Sequence, residues 1–311
     1  MSACCFLLCA TGILANAEPH CRRKSQVNQA LRSGRLPTLP QFYSARYDLR
    51  VNQTKTRTFK LTVAYDGARF KGWQRGNGRT VQSTLEEALG LSVGRASRGA
   101  IRTPISVTVD GAGRTDAGVH AEGQVASTRL PSTVEPDLLL EAVSRLLPHD
   151  VTVRSVETSH DRFHARYHAT AKTYRYRIVD GPAGIPFLHR FSWRVADSLD
   201  LSRMKRASEV FVGEHDFAAF TADKGKKDKT RSVYSIGFER PEIFGGFPLD
   251  IVFRGKGFLW NQVRIMTCAL VAAGRGEADA ASLDRILASH DRSIAPAPAP
   301  ARGLTLVSVE Y

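Results

Sequence analysis

The sequence predicts an α+β fold: a mainly antiparallel sheet with helices packed on one face. Strand-like segments outnumber long helices, they come in antiparallel-looking groups, and the order of elements in the first half is echoed in the second. With 311 residues the chain can bury a sizeable core as one large domain or two similar lobes. No sequence repeat accompanies the likeness of the halves.

The elements follow in order from the residues. Phe59, Leu61, Val63 and Tyr65 alternate with polar or small residues, the pattern of a half-buried strand, and Asp66-Gly67 ends it with turn chemistry. Val81, Leu85, Ala88 and Leu89 recur at helical spacing, with Gly90 as the expected stop. A strand is expected over Ile105 to Val109, running into a glycine-rich loop at Gly111-Ala112-Gly113. A second helix spans about Pro136 to Leu147, with proline in its first turn. Strands follow at about Val151 to Glu157 and Lys172 to Val179. In the second half a helix is expected from Leu201 to Val212, with Asp200 as N-cap and Gly213 as stop. Strands at Val233 to Glu239 and Leu249 to Arg254 alternate cleanly. Helices are expected at about Asn261 to Gly274 and Ala281 to Ser289, then a Pro/Ala linker at Ala295 to Ala301 and a closing strand from Leu304 to Tyr311.

The net charge of +14, with a pI near 9.9, favours a polyanionic partner, nucleic acid or an acidic surface. Part of the excess lies in an N-terminal leader. Residues 1 to 59 hold nine basic and two acidic side chains, which leaves +7 there and +7 in the remaining residues. The leader opens with an apolar run from Ala3 to Ala15 and a small-x-small pattern at Ala15-Asn16-Ala17; an Arg-rich, acid-poor stretch follows to about Arg57. That arrangement suits import into an organelle, a plastid or a mitochondrion. The alternative is a disordered basic extension of a cytoplasmic protein. Four of the five cysteines (Cys4, Cys5, Cys9, Cys21) sit in this leader and only Cys268 in the body. No disulfide framework and no zinc spacing results, so a reduced compartment and no metal are expected. No apolar stretch reaches the length of a membrane span.

The segment from Gly113 to His120, Gly-Arg-Thr-Asp-Ala-Gly-Val-His, is the most informative. It holds a carboxylate, Asp116, between two glycines in a tight loop beside Arg114. Glycines let the backbone approach a ligand closely. An arginine next to a carboxylate can pair with it and can also engage phosphate. Such an arrangement suits nucleophilic attack on a nucleotide; a bare Gly-x-x-Asp-x-Gly is more often a structural turn.

The longer string resembles the signature loop of the TruA family of tRNA pseudouridine synthases, and other similarities fall in that family's order. They include Tyr65-Asp66-Gly67, Gly72-Trp73-Gln74-Arg75, Phe163-His164-Ala165-Arg166, Ala171-Lys172-x-Tyr174-x-Tyr176, Gly213-Glu214-His215-Asp216-Phe217 and Phe258-x-x-Asn261-x-Val263-Arg264. The resemblance runs from about residue 58 to the end. It implies the pseudouridine synthase fold, two similar lobes around a central basic cleft. The expected division is a leader at 1–57, an N-terminal lobe with the catalytic loop at 58–170 and a C-terminal lobe at 171–311.

The resemblance also implies isomerisation of uridine to pseudouridine in the tRNA anticodon stem-loop, at positions 38 to 40, without cofactor or metal and by a homodimer. Asp116 is then the nucleophile, attacking either the uracil ring or ribose C1′. Tyr174 packs on the uracil, Arg264 pairs with Asp116, and Arg114 helps to displace the target base, which must leave its stack. Arg69, Lys71, Arg75, Lys224, Lys226 and Lys227 are candidate tRNA contacts. His120 and His164 fit structural or RNA-contact roles better than catalysis. Asn261-Gln262 stands where the family often has a histidine pair.

Three rivals remain at this level. A degenerate member could bind RNA without chemistry. A glycosidase could use Asp116 and Glu122, which the basic charge suits poorly. A sister synthase could act on other RNA positions.

Overall fold

The computed structural model describes residues 55–96, 105–225 and 227–311. The leader and Lys226 lie outside the described residues. Ten strands form one sheet: β1 (Thr56–Tyr65), β2 (Asp110–Gly111), β3 (His120–Pro131), β4 (Val151–Ser159), β5 (Ala171–Val179), β6 (Trp193–Arg194), β7 (Gly213–Asp216), β8 (Thr230–Glu239), β9 (Leu249–Gly255) and β10 (Leu304–Glu310). Among the described residues the five α-helices are α1 (Val81–Ala96), α2 (Pro136–Ser144), α3 (Leu201–Ser208), α4 (Gln262–Arg275) and α5 (Ala280–Ser289).

The main strand order is β4-β1-β3-β10-β5-β9-β8-β7. Every pairing is antiparallel except β10 with β3 and β5 with β6. The last strand of the chain is thus inserted at the centre. Thr305 pairs with His120 on β3, and Leu306 pairs with Tyr174 on β5. The expected lobe boundary at residue 170 falls between β4 and β5, and β10 carries the sheet across it.

Register puts the apolar residues of each strand on one face. Leu61 faces Ala126, Leu306 faces Tyr174, and Tyr174 and Tyr176 face Phe253 and Ile251. These side chains form one buried core with Leu85 and Leu89 of α1, Leu139 of α2, Met204 of α3, Ile265 and Leu270 of α4 and Leu283 of α5. The helices therefore cover that face. The opposite face carries charge, paired in place: Arg175 with Glu122, and Arg177 with Asp250.

Four expectations about elements are corrected. Helix α1 does not stop at Gly90 but runs on to Ala96. Gly90 is there for close approach: a Cβ would overlap the Ile105 carbonyl oxygen, and the Ile105 N–H bonds to the Gly90 carbonyl at 3.2 Å. Residues 105 to 109 are not a strand, because side chains take their backbone groups. Glu86 accepts the Val109 N–H at 3.0 Å, the Gln82 amide donates to the Val109 carbonyl at 3.0 Å, and Thr128 donates to the Thr108 carbonyl at 2.7 Å. Helices α2 and α3 end at Ser144 and Ser208, several residues short of expectation; after α3 a 3₁₀ turn occupies Glu209–Phe211. Residues 295 to 301 are not a free linker. Ala299 is fully buried and its backbone holds α4, with its N–H bonded to the Arg264 carbonyl at 3.1 Å.

Candidate active site

The Gly113–His120 loop leaves the sheet at β2 and returns to it at β3. Its backbone is fixed at successive points. The Gln124 side chain donates to the Gly113 carbonyl at 2.7 Å, the Trp73 N–H to the Thr115 carbonyl at 3.0 Å, and the Val119 N–H to the Asp116 carbonyl at 3.1 Å. The buried Thr115 hydroxyl pairs with Tyr65 at 2.8 Å. Gly72, at φ +94°, lets the chain before α1 pass so close that a Cβ would sit 2.7 Å from the Thr115 carbonyl oxygen. The motif residues at 65, 72 and 73 thus serve this loop, not the solvent.

Asp116 itself faces a cleft of about 820 Å³, lined by Lys71, Arg114, Lys172, Tyr174, Phe258 and Arg264 among others. Its carboxylate accepts from Arg264 Nη1 at 3.1 Å, across 148 residues of sequence. Arg264 is held from two further sides: Nη1 donates to Asn261 Oδ1 at 2.8 Å and Nε to the Ala299 carbonyl at 2.7 Å. Asn261 stands at the N-terminus of α4 with φ +62°, a left-handed conformation that asparagine tolerates better than most residues. Asn261 thus holds one arm of the arginine fork.

Tyr174 projects from β5 and is almost fully buried, with its ring edge-on to Phe258 at 5.4 Å between centroids. Burial, then the charges of Tyr65 and Asp116, push its phenol above the usual tyrosine range, so it stays protonated at neutral pH. Arg114 is exposed on the cleft rim, and among the described residues it has no hydrogen-bonded or ion-paired partner. Asp116, Tyr174, Arg264 and Arg114 are thus brought to one cleft from the Gly113–His120 loop, β5 and α4.

The other basic candidates divide. Lys71 is exposed and lines the cleft. Lys224 and Lys227 are exposed on the loop that follows Asp223, itself a cleft residue; Lys226 lies outside the described residues. Arg69 and Arg75 are already engaged, Arg69 with Asp150 at 3.0 Å and Arg75 with buried Glu86. Trp73, between them, is a core residue packed against Gly111. His120 is buried: Nδ1 accepts from the Gly67 N–H, Nε2 faces the Arg190 carbonyl, and burial pushes its pKa down. His164 accepts the Arg166 N–H. Neither histidine lines the cleft. Lys172 and Phe258 do, and sequence reasoning left both without a role; each lay inside a motif, next to a residue that drew the attention.

No group of His, Cys, Asp and Glu among the described residues could hold a metal ion, and no helix among them is long and apolar enough to cross a membrane.

A buried tyrosine beside a carboxylate–arginine pair, in a cleft rimmed with cations, suits an anionic substrate with a planar group. Comparison with known proteins specifies which. A family model described as tRNA pseudouridine synthase matches residues 61–168 and 207–311. The tRNA pseudouridine synthase A of Bacillus sp. (strain KSM-64) is 41% identical over 256 residues, covering 81% of this chain and 99% of that protein. The tRNA pseudouridine synthase A of Limosilactobacillus reuteri (strain DSM 20016) is 38% identical over 255 residues, covering 81% and 96%. Among solved structures, a crystal structure of a Cbf5-Nop10-Gar1 complex aligns over 80% of this chain and 48% of that one, at 12% identity and a TM-score of 0.32, too remote to bear on the argument. The chain belongs to the tRNA pseudouridine synthase family, in its TruA branch.

Proposed function

We propose that this protein isomerises uridine to pseudouridine in the anticodon stem-loop of tRNA, at positions 38 to 40, with Asp116 as the nucleophile. The observation that carries the reading is the Asp116–Arg264 pair, at 3.1 Å, in the same cleft as Tyr174. Three motifs far apart in sequence supply one carboxylate, one cation to aim it and one aromatic ring. Each has a task in this reaction. Asp116 attacks the flipped nucleotide, Arg264 holds the carboxylate while it does so, and Tyr174 offers the uracil a flat, buried wall. Its hydroxyl, held protonated by burial, can also serve in proton transfer. Arg114, unpartnered on the rim, is free to enter the stack that the target base vacates. Lys71, Lys224 and Lys227 offer phosphate contacts around the entrance.

The protein acts as a homodimer in this reading, as the family resemblance implies, and its leader delivers it to an organelle, a plastid or a mitochondrion. Both rest on sequence. The glycosidase alternative loses ground, since Glu122 is engaged by Arg175 and does not line the cleft. The decisive experiment is to incubate the purified protein with unmodified tRNA transcripts and map pseudouridine at nucleotide resolution. Pseudouridine at 38, 39 or 40 is expected; modification confined to other positions would overturn the assignment.

A further inference from the structure

Lys172 has no place in the chemistry described so far, yet it stands in the middle of it. It projects from β5 two residues before Tyr174 and lines the same cleft. Its ammonium donates to the Ala112 carbonyl at 2.6 Å, at the head of the catalytic loop. A Cβ placed on Gly113 would lie 3.3 Å from Lys172 Nζ and 3.7 Å from the Tyr174 hydroxyl, so both polar groups border the same small space. An ammonium has three donors. One is used, and among the described residues no carboxylate pairs with the charge. The charged and titratable groups around the cleft are Lys71, Arg114, Arg166 and Asp223, with Tyr174 and the Asp116–Arg264 pair. Asp116 is engaged by Arg264, and Arg166 adds repulsion. Holding a half-buried cation there without a counter-charge costs stability. That arrangement makes sense if the counter-charge arrives with the reaction.

Pseudouridine formation supplies one. Asp116 bonds to C1′ as the C1′–N1 bond breaks with its electron pair on the base, so the detached uracil carries a negative charge spread over N1 and its two carbonyl oxygens. C5 then bonds to C1′ as the Asp116–C1′ bond breaks and returns the carboxylate, the proton on C5 leaves to water, and N1 takes one up. We propose that Lys172 is a further catalytic residue, which donates a hydrogen bond to a carbonyl oxygen of the target uracil and stabilises the charge on the base while it is detached. Donors fixed at the place where charge develops act on the transition state more than on the ground state. The proposal rests on the assignment of this cleft as the uridine site.

Burial and the Arg166 charge pull the Lys172 pKa down to about 8, from an ordinary lysine value of 10.5. The ammonium is therefore present below about pH 8 and lost above it. The test is single-turnover pseudouridine formation at saturating tRNA, from pH 6 to 10, with tRNA affinity measured alongside. Wild type should hold a steady rate to about pH 8 and then fall. Lys172→Met should lose about a hundredfold in rate, with Kd for tRNA changed less than threefold and no fall near pH 8. Lys172→Arg, charged throughout, should regain much of the rate and also lose that fall. A Lys172→Met rate within threefold of wild type would overturn the proposal. So would weakened tRNA binding with an unchanged rate, the mark of a phosphate contact. A wild-type rate that rises through pH 8 would make the neutral amine a base instead and would equally sink it; this readout stands even if the variants fail to fold. If wild type forms no pseudouridine at all, the failure lies with the function and not with Lys172.

Discussion

Asp116 is positioned by its backbone more than by its side chain. The loop carbonyls at 113, 115 and 116 are each bonded, while among the described residues the carboxylate makes its one protein bond to Arg264. Removing the charge should therefore spare the fold. Asp116→Asn leaves Arg264 bonded to Asn261 and Ala299, and the pair it weakens is part-exposed, so the expected stability change is within about 1 kcal/mol. Activity should fall by about four orders of magnitude or more, since an amide cannot replace a nucleophilic carboxylate. Affinity for tRNA should hold, because it rests on many phosphate contacts. Melting temperature, tRNA binding and turnover on this one variant separate the readings: near-normal turnover would remove Asp116 from the mechanism, and a joint loss of stability and activity would make it a structural turn residue.

At the scale of elements, legibility in the sequence followed the physics of burial. Strands with one wetter face, such as β1, β4 and β8, were legible because alternation records two different environments. β3, the longest strand at 12 residues, was not, because almost every residue in it is buried and the alternation is gone. Gly90 and Ala299 misled for a related reason: composition suggests a stop or a linker, and the packing partner that explains each residue lies elsewhere in the chain. The site was legible only where motifs named it; the bonds from Asn261 and Ala299 to Arg264 depend on how α4 and the following segment dock. Gly90 offers a test in which two effects compete. Alanine in the middle of α1 gains about 1 kcal/mol of helix propensity. It also drives a methyl group into the Ile105 carbonyl, whose neighbour N–H bonds back to residue 90, and overpacking of that kind costs about 1–3 kcal/mol. The collision is with backbone, which yields less readily than a side chain, so Gly90→Ala should destabilise on balance. Urea denaturation would show it; a variant more stable than wild type would mean that the helix and the 105–109 segment do not meet as closely as described.

The described body is organised around one sheet in which its first and last strands both take part. β10 lies at the centre, and β1, the first described strand, is flanked by β3 and β4. The last prediction concerns where the folded body begins. The Lys55 carbonyl accepts the Ser132 N–H at 2.7 Å, Thr56 pairs with Pro131, and Phe59 is fully buried. Among the described residues, those that line the cleft run from Lys71 to Leu304. A chain starting at Lys55 should therefore melt within about 2 °C of the full-length protein, given the few degrees that a 1 kcal/mol change produces at this size. It should also keep the full single-turnover rate. Seven basic and two acidic side chains leave with residues 1–54, so tRNA affinity at low salt is free to drop while the rate at saturation is not. A chain starting at Leu61 is the contrast. It loses the Phe59 side chain and half the β1 ladder to both neighbours, an opening between β3 and β4 that should leave the protein insoluble or unfolded. If the Lys55 chain failed to fold, or folded with a lower saturating rate, the leader would be part of the enzyme and not an extension of it.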